Sequence, residues 1–391
     1  MTLSKTTLAD SVMAVAPSRI RELADLAMSM DGVLRLYFGE SDQPTPQFIK
    51  QAAIRALEMG YTFYTENAGL PSLRRAIAEK YREIHGIDLE PLQRIVVTAS
   101  GVQALHVSIR CVLDPGDEAI LLTPAWPNAG EIVRMCSARA FHLAHVLRGE
   151  RYEIDFDAVE ASITGRTRLL VYTSPSNPLG WVAATEDQER LLAICRKHGL
   201  WLLADEVYER LYYGGPVAPS ILRLSAQDDP VIVVQSFSKS YCMTGWRLGW
   251  LVSRPDLVQK ATQLNEFIVS HAPSMAQKAA ETALEKGEDE IRAMVERLRR
   301  NRDFLRNRLL KMPRVAVPQA EGAFYFFPRI EGLRNSFDFC RRLLLEERVG
   351  LAPGAAFGEG GEGSVRICFA ADRDVLESAA DHLESFLRKN A

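Results

Sequence analysis

VIVVQSFSKSYCMTGWRLGW, residues 231–250, sets Lys239 between serines at the end of an apolar run, and Arg247 follows eight residues later. The run 231–235 is short, rich in Val and Ile, and free of polar alternation. That texture predicts a strand covered on both faces. Similar runs stand at 94–98 (RIVVT), 119–123 (AILLT), 169–173 (LLVYT), 200–204 (LWLLA) and 248–252 (LGWLV). Helical patterns lie between several of them: VQALHVSIRCVL, TEDQERLLAICRKHG and RPDLVQKATQLNEFIV. The second opens with Thr185 and Gln188 at capping-box spacing and stops at Gly199. Strands alternating with helices predict an α/β fold with a large, mainly parallel, doubly wound sheet.

The chain is 391 residues long, enough for about two to three domains. The alternating pattern spans 46–285, the expected large domain. Beyond it come a long charged amphipathic stretch, EDEIRAMVERLRRNRDFLRNRLLKM, then GAFYFFP, SFDFCRRLLLEERVG, SVRICFA and a closing helix. Residues 286–391, joined by 1–45, are expected to form a smaller α+β domain. A net charge of −3 gives no general attraction for nucleic acid or anionic membrane. The apolar runs are too short to span a bilayer, and no signal-peptide pattern opens the chain. Six cysteines without a C-x-x-C pair read as reduced thiols, so a cytoplasmic protein is expected.

In open α/β sheets ligands bind beyond the carboxyl ends of the strands. The residues there are chemically pointed. Ser100 and Gly101 open a helix, whose N-terminus attracts an anion. Ser236, Ser238 and Arg247 add hydroxyls and a guanidinium fork suited to a phosphate monoester. A plain N-cap serine and a surface arginine explain each element singly; together they favour a phosphate pocket. Lys239 is the candidate nucleophile. An ordinary lysine is neutral in only about one part in 2,500 at pH 7, so it needs burial or nearby positive charge to react with an aldehyde. A phosphorylated carbonyl cofactor that takes a Schiff base is pyridoxal 5'-phosphate, and its ring nitrogen calls for an acid. Asp205, after LWLLA, holds such a position; a helix N-cap before EVYERL is the competing role. Trp126, Tyr64 and Tyr208 also read as core aromatics.

SPSNPLG (174–180), ADEVY (204–208) and SFSKSYCMTGWRLGW (236–250), in that order, resemble the class I/II pyridoxal-phosphate-dependent aminotransferases of fold type I. FGESDQPTP, FYTENAGLPSLRRAIAEKY, TASGVQAL, GAFYFFP and SVRICFA carry the resemblance over nearly the whole chain. It implies that Lys239 bonds the coenzyme aldehyde and shuttles the substrate proton, and that Asp205 pairs with the ring nitrogen. Asn177 and Tyr208 would meet the phenolic oxygen, and Trp126 would stack on the ring. Ser100, Gly101, Val102, Ser236, Ser238 and Arg247 would hold the phosphate, with Tyr64 reaching in from the partner of a homodimer. Arg366 would clamp the substrate carboxylate, helped by Asn177, Trp126 and the Gly39 backbone. Leu179 stands where the family usually has threonine.

The implied activity is transfer of an amino group from an L-amino acid to a 2-oxo acid by a ping-pong route, with aspartate and 2-oxoglutarate as the first guess. A carbon–sulfur β-lyase on the same scaffold needs the same Lys239, Asp205 and Arg366 and stays as the alternative. A regulator using this fold as a sensor would carry a DNA-binding module ahead of it, which is not expected here. His271 and the Trp126 N–H are weak candidates for a second substrate contact; an exposed loop histidine is the simpler expectation. GEGGEG (358–363) fits G-x-G-x-x-G but precedes a strand-like run, so it reads as a flexible loop and not a nucleotide site. His142 and His145, three apart in a strand-like stretch, point to opposite faces and predict no metal. RLRRNR (297–302) reads as a solvated helix face.

Overall fold

The six apolar runs all become strands of one seven-stranded sheet in the computed structural model, which describes residues 8–13 and 15–390. Residues 1–7, 14 and 391, parts of the segments expected above to form the smaller unit, lie outside the described residues. The strands are β1 (Ile95–Thr98), β2 (Glu118–Thr123), β3 (Arg139–Ala144), β4 (Thr167–Thr173), β5 (Trp201–Asp205), β6 (Val231–Ser236) and β7 (Gly249–Val252). Their order across the sheet is β1-β7-β6-β5-β4-β2-β3. The pairs from β6 to β3 are parallel, and only β7 runs against its neighbours.

Successive residues along each strand feed two different cores, which is why the runs lack polar alternation. Val96, Leu121, Val171, Leu203, Ile232 and Leu251 face one side, with α2 (Gly101–Val112), α3 (Asn128–Met135) and α5 (Pro255–Ile268) packed there. Ile95, Ile120, Leu170, Leu202, Val233 and Trp250 face the other, against α1 (Pro71–His85), α4 (Thr185–His198) and α6 (Ser274–Lys286). Each fully buried aliphatic side chain contributes about 1.5–3 kcal/mol of transfer free energy, so two covered faces hold the sheet flat-on between helix layers.

The C-terminal part builds a third core from α7 (Glu288–Leu309), α8 (Ser336–Glu347) and α9 (Arg373–Lys389) over a three-stranded sheet. That sheet is β8 (Tyr325–Phe326), β10 (Val365–Cys368) and β9 (Ala352–Pro353), in that spatial order. Leu34–Arg35 pairs in parallel with Val349–Gly350, tying the N-terminal segment to this part. Among the described residues no helix is long and apolar enough to cross a membrane, and all six cysteines are free.

Three local expectations change. The helix α4 is capped one residue earlier than the sequence pattern implies: Ala184 N donates to the Asp187 carboxylate at 3.1 Å. Thr185 is then the first helical residue, and Gln188 turns its side chain to Pro219 O at 3.0 Å. The arginines of RLRRNR are not all solvated. Arg297 makes paired 2.8 Å bonds to Asp42, and Arg302 lies 4.4 Å over the Tyr213 ring, so this face binds α7 to its neighbours. No helix follows Asp205, because residues 207–210 form turns; an N-cap role for it falls away.

Candidate active site

Thr98, Thr123, Ala144, Thr173, Asp205 and Ser236 end the same-direction strands at one edge of the sheet. β7 starts at that edge, with Gly249 in register with both Ser236 and Thr98. A Cβ on Gly249 would stand 2.5 Å from Gly101 N and 2.6 Å from Gln235 O. Only glycine lets the β7 backbone lie that close to the first turn of α2. Ser100, at φ 134°, caps α2 by accepting from Gln103 N at 3.0 Å, and its carbonyl accepts from Thr98 Oγ1 at 2.8 Å. Across from it, Ser236 Oγ accepts from Ser238 N at 3.0 Å and donates to Leu248 O at 3.2 Å.

The structure thus brings Ser100, Gly101, Ser236 and Ser238 to a helix N-terminus, where N–H groups and dipole favour an anion. Val102, the next residue of α2, is half-buried. Arg247 sits in the left-handed region at φ 51°, is exposed, and donates to Thr244 O at 2.6 Å. Tyr64 is 89% exposed and meets the His271 ring edge-on at 5.7 Å. His271 is half-buried and hydrogen-bonded to Ala272 O at 2.7 Å, not the exposed loop residue expected.

Lys239 Nζ donates to Gly39 O at 2.5 Å and lies 5.7 Å from the Tyr208 ring centre. Burial, then the nearby Arg366 guanidinium, lowers its pKa to about 8, while Cys368 and Glu40 oppose the shift. Roughly a tenth of such an amine is neutral at pH 7, about two hundred times the fraction of a free lysine. Asp205, the last residue of β5, accepts from Val207 N at 3.4 Å. Burial raises its pKa to about 6; Val207 N–H and the positive Lys239 hold it down. Tyr208 shares a 2.7 Å hydrogen bond with Tyr325 OH, and burial pushes its phenol above the ordinary range.

Arg366 is 2% exposed. It donates to Asn177 Oδ1 at 2.9 Å and to Tyr37 O, while its Nε has no partner. The Tyr325 and Phe357 ring centres lie 4.6 and 5.0 Å from its Cζ. A buried guanidinium with an unsatisfied donor is expensive unless an anion completes it, so this site fits a carboxylate. Trp126 is half-buried in the loop after β2. The donor set also fits pyridoxal 5'-phosphate: serines and a helix N-terminus for phosphate, an amine for the aldehyde, an acid for the ring nitrogen, and a phenol and amide for the ring oxygen.

Four contributors escape the sequence reading. Tyr325 bonds Tyr208 and occupies the space a Cβ on Gly39 would need. Its only signal was membership of the apolar GAFYFFP run. Gly249, Tyr37 O and Cys368 are the others. Cys368, two residues beyond Arg366 on β10, donates its thiol to Glu40 O at 3.8 Å; strand period 2 from Arg366 would have put it on the same face.

The sequence profile of the family described as aminotransferase class I and II matches residues 31–383. The chain is 34% identical to an aspartate aminotransferase of Pyrococcus horikoshii over 384 residues, covering 97% of each. It is 34% identical to aromatic-amino-acid aminotransferase 2 of Thermococcus litoralis, covering 98% of each. The crystal structure of aspartate aminotransferase from Thermotoga maritima superposes with a TM-score of 0.91 at 32% identity, covering 97% of this chain and 100% of that one.

Proposed function

The chain belongs to the aminotransferase class I and II family, whose members depend on pyridoxal 5'-phosphate, and from that premise we propose the substrates and residue roles of its reaction. It is an aminotransferase; the proposed donor is an aspartate-like L-amino acid, the acceptor a 2-oxo acid such as 2-oxoglutarate, and the cycle ping-pong. One observation supports these roles most: Lys239 lies close enough to Asp205 and Arg366 to feel their charges, Arg366 keeps one donor free beside Asn177, and the serine-capped N-terminus of α2 packs against Ser236. The relatives named above are aminotransferases, which does not favour the carbon–sulfur lyase alternative.

Pyridoxal phosphate, when bound, supplies an aldehyde and a ring that delocalises the electron pair left by the departing Cα proton. Ser100, Gly101, Val102, Ser236, Ser238 and Arg247 would hold the phosphate. Asp205 would keep a proton on the ring nitrogen. Tyr208, steadied by Tyr325, and Asn177 would donate to the ring oxygen, and Trp126 would stack on the ring. Arg366, Asn177, Trp126 and the Gly39 backbone would orient the substrate. Lys239, released from the coenzyme by substrate, would take the Cα proton as general base. We further assign 46–285 to a coenzyme-binding domain, and 1–45 with 286–391 to a smaller one. The unit would be a cytoplasmic homodimer, in which the exposed Tyr64 reaches the partner's phosphate site.

An aromatic or other uncharged donor is favoured by a separate observation. Among the described residues the buried arginines are Arg74, Arg94, Arg210 and Arg366. The first three bond Leu92 O, Ser253 O and Glu288, which leaves Arg366 as the buried guanidinium offered to a substrate. A second substrate carboxylate would need a cation from elsewhere. A panel of amino donors in single turnover, followed by loss of the coenzyme's aldehyde-linked absorbance, tests both. Fast turnover with aspartate supports the first donor class; fast turnover confined to aromatic donors replaces it. Ammonia and pyruvate formed without any oxo acid would indicate a lyase.

A further inference from the structure

The glycine-rich turn 358–363 lies between the two halves of the site. After β9, Gly354–Phe357 forms a short 3₁₀ turn, and the glycines then lead back into β10, which carries Arg366. Gly354 N donates to Ser364 O at 3.0 Å and Ile330 N to Gly363 O at 2.9 Å, so the base of the turn is tied to the ends of β9 and β10 and to the neighbouring two-stranded pair of Val315–Ala316 with Arg329–Ile330. Its tip crosses the ends of β2 and β3, where Thr123 and Ala144 are register partners. At Gly358 (φ +89°) a Cβ would stand 3.3 Å from His142 Nδ1 and 3.4 Å from Thr123 Cγ2. At Gly360 (φ +80°) it would stand 2.9 Å from Ala144 Cβ. The turn is therefore seated, not loose.

Phe357 makes the connection specific. Its ring lies 5.0 Å from the Arg366 guanidinium, and its carbonyl accepts from Ala125 N at 2.9 Å, one residue before Trp126. One residue thus touches the side chain at the carboxylate position and the backbone leading to the ring-stacking position. We propose that the 357–363 turn is a positioning strap that fixes Arg366 relative to Trp126, so that disturbing its seat on Ala144 weakens substrate binding. The proposal rests on the roles given above to Arg366 and Trp126. A displacement of about 1 Å in positioning elements is known to matter by up to a hundredfold in rate.

Gly332 provides a matched control: it has φ +78° but no atom within 4 Å of a Cβ position. Gly360→Ala and Gly332→Ala share the left-handed backbone strain; only the first adds the collision. Holoenzymes of both are compared by thermal midpoint, by circular dichroism of the bound coenzyme, and by kinetics with the best donor of the panel. Gly332→Ala should lose the stability that the backbone strain alone costs, and Gly360→Ala at least that much. Only Gly360→Ala should raise the donor KM, about five- to tenfold with kcat within about twofold, and change the coenzyme's dichroic band. Adding Ala144→Gly to Gly360→Ala should restore KM and the band. Equal kinetics and dichroism in the two alanine variants, or no rescue by Ala144→Gly, would overturn the strap. If Gly360→Ala does not fold, Ala144→Val crowds the same contact without the strain, and an unchanged KM there would overturn it. Arg366→Lys separates the premises: no KM change in that variant sinks the carboxylate role itself, whereas a raised KM there beside a silent Gly360→Ala sinks only the strap.

Discussion

Replacing Glu206 by glutamine is expected to stabilise the protein above neutral pH. Glu206 follows Asp205 at the sheet edge, is 0% exposed, accepts from Ile221 N at 3.0 Å through one oxygen, and has no partner for the other. Burial first, then the Glu209 charge, raises its pKa to about 8 from an ordinary 4.5. Between those values the folded chain holds a proton that the unfolded chain has released, so stability falls as pH rises through the window. At 1.36 kcal/mol per pH unit the full span is worth about 5 kcal/mol. Glutamine keeps the Ile221 bond and never ionises, but its amide lacks a partner, which takes back about 1–3 kcal/mol. The expected gain at pH 8.5 is about 2–4 kcal/mol, falling as pH drops and turning into a small loss by about pH 5. Urea denaturation of both proteins with saturating coenzyme, at pH 5 to 9, measures it. A variant less stable at pH 8.5, or a difference constant with pH, would refute the reasoning.

Asp205→Asn removes the carboxylate proposed to pair with the ring nitrogen. An ion pair at about 4 Å and an effective dielectric of 20 is worth at most about 4 kcal/mol, so kcat should fall between about tenfold and a thousandfold while coenzyme affinity changes less than about tenfold. Stopped-flow kinetics and coenzyme titration separate the two. Arg366→Lys keeps the charge and loses the planar fork, so kcat/KM for the donor should drop about ten- to a hundredfold with coenzyme binding intact, by steady-state assay. Gly249→Ala drives a Cβ into the Gly101 and Gln235 backbones. Coenzyme affinity, measured by fluorescence titration, should fall more than about tenfold.

The strands were legible because burial on both faces leaves only one kind of residue in them, and the same reasoning pointed to their carboxyl ends. Lys239, Asp205, Ser100 and Ser236 are local features: each sits at, or within three residues of, a strand end or helix start that the pattern marks. Contacts made across the chain left no such mark. Tyr325 lies more than a hundred residues from Tyr208, and nothing in an apolar run says that one phenol will turn towards another. The seat of the glycine turn left no mark for the same reason, since its contact with Ala144 comes from a distant strand. The Thr185 cap failed on a shift of one residue, because Asp187 competes with Gln188 for the same first turn.

Borohydride reduction of the holoenzyme, followed by proteolysis and mass mapping, tests the central claim most directly. The coenzyme should be found fixed to the peptide carrying Lys239, and Lys239→Ala should retain coenzyme by affinity alone and lose it on denaturation after the same treatment. Reduction that leaves Lys239 unmodified, or that labels a different lysine, would contradict the account.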